Sequence, residues 1–307
     1  MIERRTLVFN DLEHPVFEAT GARDGPRLSL IAGIHGCEYS SIAAVTRFMN
    51  ELDPSELAGR ITAVPVVSMQ SFKQRSPFVV PEDGKNLNRC FPGSPDGSYT
   101  DRLARGIFDE LIAPADALID LHGGDQVEDL EPFTIYVGSP VEERARALAV
   151  AFGLPFVVRE PPSESGLPGM TATAAAVAGV PAIIAEAGGR GILEESAVQM
   201  LVDGLRNALR SLQMLPGPVE PPRRPLRFVG GNVWLRSVHE GWWDAAVGPG
   251  NSIAEGRLLG RIRNLWGDVL EEIFSPSEGV ILFVTSSPAV ASDGLLIGLG
   301  TELSPIS

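Results

Sequence analysis

Lysine is almost missing from this 307-residue chain: Lys73 and Lys85 are the only two, while arginine is plentiful. Codon bias in a GC-rich genome is the plainer reading of this scarcity, but the absence of any lysine after Lys85 still excludes lysine-borne attachment chemistry in the last two-thirds of the chain. Cysteine is as scarce. Cys37 and Cys90 are too few for a disulfide framework and fit a cytosolic setting. No apolar run reaches the roughly 20 residues of a membrane span. The opening MIERRTLVFNDLEHP lacks the apolar stretch of a secretory signal. We therefore expect a cytoplasmic protein without membrane contact. An excess of basic charge is also lacking. The formal net charge of -14 repels a phosphate backbone and argues against nucleic acid as a partner. G-x-S-x-G, Walker and well-placed G-x-G-x-x-G motifs are absent, so serine-hydrolase, P-loop and dinucleotide readings lose their support.

What remains is an ordinary globular composition, 44% hydrophobic and 21% charged, enough for one large domain plus a small one. Apolar strands are expected at Arg27–Ile34, Arg60–Ser68, Ala117–Leu121, Thr134–Gly138 and Pro181–Ala185. Helices are expected at Tyr39–Leu52, Asp101–Ile112, Glu142–Phe152 and Ser196–Leu212. The Pro-, Gly-, Asn- and Asp-rich stretch Met69–Thr100 reads as a long loop, which in a compact domain is usually functional. Strands alternating with helices argue an α/β domain with a mostly parallel sheet flanked by helices. The stiff segment Pro216–Pro222 then marks a boundary, giving a catalytic domain at 1–222 and a small all-β domain at 223–307. The turns of the latter resemble the barrel of biotinyl and lipoyl carrier domains. Those carry their cofactor on a lysine, so this module serves instead as a lid, a pocket wall or an oligomer contact.

The chemistry follows from position. His35 and Glu38 come after the strand RLSLIAGI, His122 after ALIDL and Glu186 after PAIIA. Ligands of open α/β sheets bind outside the carboxyl ends of the strands, where these four side chains converge. Hydrolytic zinc takes three N or O ligands and keeps one position for water. Two histidines and a carboxylate supply that set, and Glu186 is left over as general base. Taken singly, each also fits a hydrogen-bonded core residue or an ion-paired carboxylate. The conjunction points to a metal. Of the other two histidines, His14 reads as a surface residue and His239 is undecided. In the loop segment NLNRCFPG, Arg89 offers a rigid fork for a carboxylate and Asn88 adds amide hydrogen bonds; a solvated Asn-rich turn is the plainer alternative. Cys37 and Cys90 read as buried free thiols.

GIHGCE, NLNRCFPG, DLHGG and AEAGG, in this order, resemble the succinylglutamate desuccinylase and aspartoacylase family, a branch of the zinc carboxypeptidase superfamily. The resemblance covers roughly residues 27 to 300, β module included. It implies one zinc per chain on His35, Glu38 and His122, a substrate carboxylate on Asn88 and Arg89, and Glu186 as the catalytic carboxylate. It also implies a carbonyl-polarising arginine, for which Arg75 is the candidate, with Pro77 competing for the aligned position. The implied activity is hydrolysis of the amide of a small N-acylated amino acid. The acyl group (acetyl, succinyl or larger) and the amino acid (aspartate, glutamate or a diamino acid) stay open. So do a peptide-cleaving carboxypeptidase, a metal-dependent amidohydrolase or esterase of uncharged substrates, and a non-catalytic binding protein on the same fold. A homo-oligomer is compatible with the sequence.

Overall fold

The computed structural model describes residues 1–9, 12–162 and 169–306. The first part runs β1 (Ile2–Phe9), β2 (Leu12–Thr20), β3 (Arg23–Ala32), α1 (Tyr39–Glu51), β4 (Ala58–Val64) and α2 (Met69–Gln74). It continues with a 3-10 turn at Leu87–Arg89, then α3 (Tyr99–Ile107), β5 (Ala117–His122), β6 (Glu128–Leu130), β7 (Phe133–Val137) and α4 (Glu142–Phe152). Next come β8 (Phe156–Glu160), α5 (Thr171–Val177), β9 (Ala182–Glu186) and α6 (Glu195–Ser211). The remainder is strand only: β10 (Arg227–Arg236), β11 (Gly241–Ala245), β12 (Ser252–Ile253), β13 (Leu258–Arg263), β14 (Val269–Phe274), β15 (Gly279–Thr285), β16 (Ala289–Val290) and β17 (Leu295–Pro305).

One large sheet has the order β1-β2-β4-β3-β5-β9-β7-β8-β10-β17-β15-β12, with β6 hung on β15. Its centre, β4-β3-β5-β9, is parallel, as is β7-β8; the β1-β2-β4 flank and the β9-β7 junction are antiparallel. Central strands covered on both faces read as continuous apolar runs rather than alternating ones. Leu28 and Leu30 of β3 and Ile119 of β5 pack under Phe48, Phe152 and Leu201 of α1, α4 and α6. Their neighbours Ile31 and Leu118 face the other way, against Leu103 and Ile107 of α3 and the alanines of α5. The α3 helix begins two residues earlier than its sequence pattern suggested: Asp101 accepts from the Ser98 backbone N–H at 2.9 Å, and Ser98 is the cap.

The Pro-rich segment is crossed without leaving the sheet. β10 pairs parallel with β8, and β17 and β15 follow antiparallel. The second sheet, β14-β13-β11-β16, packs against β15 and β17 of the large one, with Trp243, Leu259 and Ile262 clustered with Ile281, Ile297 and Leu299. The expected surface position of His14 is not observed. Its ring is fully buried in β2, edge-on to Phe9, with both nitrogens 3.0 Å from carbonyl oxygens of Leu12 and Val67. The N-terminal hairpin extends the sheet through the β2–β4 ladder, and β1 forms its edge. Among the described residues no helix is long and apolar enough to cross a membrane.

Candidate active site

Parallel register sets the site. β5 lies between β3 and β9, with Ala32 opposite Leu121 and His122 opposite Glu186. His122 and Glu186 thus leave adjacent strand ends on the same side. At the end of β3 the chain turns through Gly33, whose φ of 64° suits glycine. Gly36 then lets the backbone of α2 pass: a Cβ there would lie 2.1 Å from the Phe72 nitrogen. This turn presents His35 and Glu38 back toward β5.

The metal-competent atoms of His35, Glu38 and His122 all lie within 4.8 Å of one another. His35 Nδ1 is 2.6 Å from one Glu38 oxygen, and His122 Nδ1 is 3.1 Å from the other. The outer nitrogens fix the tautomers. His122 Nε2 faces the Asp120 carboxylate at 3.0 Å, and His35 Nε2 faces Asn86 Oδ1 at 3.1 Å. Both acceptors demand an N–H, which leaves both Nδ1 lone pairs pointing at a carboxylate. Lone pairs converging on one point fit a cation, and buried imidazoles backed by a carboxylate or amide oxygen are the usual second layer of a metal site. The three residues are consistent with one metal site. Protons compete for it. Burial opposes charge on His122, yet Asp120 and Glu38 raise its pKa well above the ordinary value. Burial likewise opposes charge on Glu38, but His122 and His35 hold its carboxyl down to about 2.

The site opens into a cavity of about 190 Å³. At its polar end stand His35, Glu38, His122, Asn88, Arg89 and Glu186, so six of the seven expected site residues meet there. Burial pushes the Glu186 carboxyl up to about 8, with Glu38 and Glu128 adding to it and the histidines opposing. Asn88 is held by its Oδ1, which accepts from the Thr171 backbone N–H at 3.0 Å. Burial lowers the pKa of Arg89, while Glu160 and Glu128 counter it. Arg75 does not line the cavity. It is exposed, left-handed at φ 54° after α2, and its carbonyl accepts from Gln126 Nε2 at 3.1 Å. Pro77 does not line it either, but the next residue, Phe78, does. The apolar wall comes largely from the C-terminal strands: Trp234 of β10, Leu282 and Phe283 of β15, and Leu295 and Leu299 of β17. Cys37, Cys90 and His239 are not part of the lining. Cys37 is buried with Gln126 on its sulfur, Cys90 is half-buried and His239 is exposed 3.5 Å from Glu271.

Sequence reasoning missed Asp120, Thr171, Asn86 and Glu128. Asp120 had a signal: residues two apart on a strand share a face, so D-x-H at the end of β5 aims both side chains the same way. Thr171 hydrogen-bonds the same Asp120 oxygen at 2.5 Å from a helix 51 residues away. Nothing local to Thr171 or Glu128 announces either role.

Fold and site together define a metal-dependent hydrolase of amide C–N bonds. Residues 24–212 match the succinylglutamate desuccinylase/aspartoacylase catalytic domain, and the chain belongs to that family. The N-alpha-acetyl-L-2,4-diaminobutyric acid deacetylase of Halomonas elongata is 29% identical over 251 residues, covering 79% of this chain and 72% of that one. In fold, the product-bound ectoine utilization protein EutE (DoeB) of Ruegeria pomeroyi is similar with a TM-score of 0.87 at 23% identity, covering 98% of this chain and 95% of that chain. A succinylglutamate desuccinylase/aspartoacylase from Rhodobacter sphaeroides is similar with a TM-score of 0.86 at 23% identity, covering 100% and 95%.

Proposed function

We propose that this chain is a cytoplasmic zinc-dependent deacylase, with one zinc per chain, that hydrolyses the amide of a small N-acylated amino acid to a carboxylate and a free amino acid. The carrying observation is the convergence of both histidine lone pairs on Glu38, beside a second carboxylate, Glu186, on the adjacent strand end. His35, Glu38 and His122 would hold the ion. Zinc in such a donor set acts as a Lewis acid and lowers the pKa of water from about 15.7 to about 7.

The protein's own residues do the rest. Glu186 is the general base that takes the proton of the attacking water and returns it to the leaving amine. A carboxyl that burial drives upward is suited to both halves of that transfer. Arg89 pairs with the carboxylate of the amino-acid part, and Asn88, its Oδ1 already engaged, offers its amide N–H groups. Arg75 polarises the scissile carbonyl in this reading only after its side chain turns inward from its exposed position. We place the catalytic domain at 1–222 and the module at 223–307. The module's strands wall the cavity, which favours a small substrate over a peptide.

Metal content per chain, compared between wild type and His122→Ala, is the deciding experiment. About one zinc in the wild type and none in the variant, together with hydrolysis of N-acyl amino acids, is expected. A wild type that takes up no zinc would leave a binding protein on an enzyme's fold.

A further inference from the structure

The strands beside the cavity come close to closing a ring. β7 pairs with β8, β8 with β10, β10 with β17, β17 with β15, and β15 with β6. Only Glu131 and Pro132 separate β6 from β7. An apolar core that includes Phe133, Val158 and Leu282 packs these strands together, and the same three residues line the cavity. The cavity thus opens onto the core itself. One wall is β10. Alternation along this strand puts Asn232 and Trp234 on the cavity, while Val233 and Leu235 pack into the core shared with the second sheet. Opposite Trp234 on β17 stands Gly298. A Cβ there would lie 2.8 Å from the indole ring and 3.2 Å from Phe283 Cβ. The glycine thus makes room for an aromatic pair, Trp234 and Phe283, with ring centroids 6.3 Å apart. Trp234 remains 47% exposed, an apolar face with nothing over much of it.

The charged groups among the described lining residues are already engaged. His35, Glu38 and His122 make up the metal-competent set, and Glu186 is the proton carrier. Burial opposes the charge on Arg89, and Glu160 and Glu128 both act on that guanidinium to support it. One substrate carboxylate completes this polar end. Strands β10, β15 and β17 add no acidic side chain, lysine, arginine or histidine to the lining, and the amide of Asn232 is uncharged. A second charge on the substrate, of either sign, would give up water for a wall without a counter-charge.

We propose that Trp234 sets specificity by covering an uncharged, apolar group of the substrate, so that this enzyme prefers N-acyl derivatives of neutral amino acids to those of dicarboxylic or diamino acids. The proposal rests on the deacylase reading. With the scissile amide at the metal and the α-carboxylate on Arg89, the apolar group is either the amino-acid side chain or the acyl chain. Both offer the indole the same chemistry, removal of hydrocarbon and of a large aromatic face from water.

The test measures kcat/KM of the zinc-loaded enzyme on five compounds. N-acetylalanine is the reference. N-acetylleucine and N-pentanoylalanine each add three carbons, and N-acetylaspartate and Nα-acetyl-2,4-diaminobutyrate each add a charge. A buried methylene is worth about fourfold. At least one of the two apolar compounds should therefore exceed the reference by about tenfold to sixtyfold, and the one that gains shows which arm meets the indole. Both charged compounds should fall below the reference. In Trp234→Ala the apolar gain shrinks at least about threefold, and Trp234→Phe restores part of it. A wild type that ranks either charged compound above the reference, or gains nothing from the added carbons, overturns the proposal and leaves the deacylase reading intact. An apolar gain unchanged in Trp234→Ala overturns the assignment to Trp234. Hydrolysis of none of the five overturns both the proposal and the deacylase reading. If Trp234→Ala does not fold, the wild-type ranking alone decides.

Discussion

Asp120→Asn isolates the layer behind the metal. Asp120 is fully buried, and one of its oxygens accepts from both His122 Nε2 and Thr171 Oγ1. The carboxylate can only accept, so it holds the proton on Nε2 and keeps Nδ1 free for a ligand. An asparagine of the same shape presents either an oxygen or an N–H. Where it presents the N–H, His122 moves its proton to Nδ1, against Glu38, and stops being a donor to metal. Removing such an outer partner costs about 10- to 100-fold in metal affinity, or about 1.4–2.7 kcal/mol. The fold itself loses about 1–3 kcal/mol from the disturbed buried hydrogen bonds. The assay is chelator competition for zinc on protein whose circular dichroism matches wild type, with melting of metal-free samples run alongside to separate the two losses. A folded Asp120→Asn protein with zinc affinity within about threefold of wild type would refute the tautomer argument, against an expected 10- to 100-fold loss.

Glu186→Gln should keep zinc and lose about 10²–10⁴-fold in kcat; near-normal turnover excludes Glu186 as base. Arg89→Ala should raise KM for substrates with a free carboxylate by about 10- to 100-fold while leaving their esters much less affected; equal losses make Arg89 structural. Arg75→Ala should cut kcat by at least about tenfold if the side chain reaches the carbonyl, and a loss under about threefold would assign Arg75 to the rim. In metal-free protein Glu128 keeps its proton up to about 7, while the unfolded chain releases it near 4.5. The folded state therefore binds more protons across that window, and stability falls as pH rises from 4.5 to about 7. Glu128→Gln should flatten the fall in Tm between these limits, and an unchanged slope would remove Glu128 as its source.

The strands of the parallel centre were legible because they are covered on both faces. Runs such as Leu28–Ala32 and Ala117–Leu121 are apolar apart from Ser29 and Asp120, and the glycine turns after them mark their ends. The N-terminal hairpin was not legible. Its exposed positions alternate irregularly, and its partner β4 lies some 40 residues on, with Phe17 opposite Ala63. β8 and α5 are short and were missed for want of a repeating pattern. His14 looked like a surface residue since nothing near it in sequence supplies the Val67 carbonyl that it contacts.

The sequence by itself pointed to His35, Glu38 and His122 as a metal-competent set, because all three follow apolar strands of the central sheet, and the carboxyl ends of such strands gather at one edge. It also determined that the C-terminal module is no carrier, because a missing lysine is missing in any fold. Only the tertiary structure decided which groups surround the substrate. Glu128 reaches the cavity through a β6–β15 pairing between residues far apart in the chain, and the apolar wall comes from strands beyond residue 222. Arg75, three residues before the lining residue Phe78, stands outside, in a segment with left-handed residues at positions 75 and 78. Proximity in a folded chain is set by sheet register and backbone turns, and neither is written in the spacing of a motif.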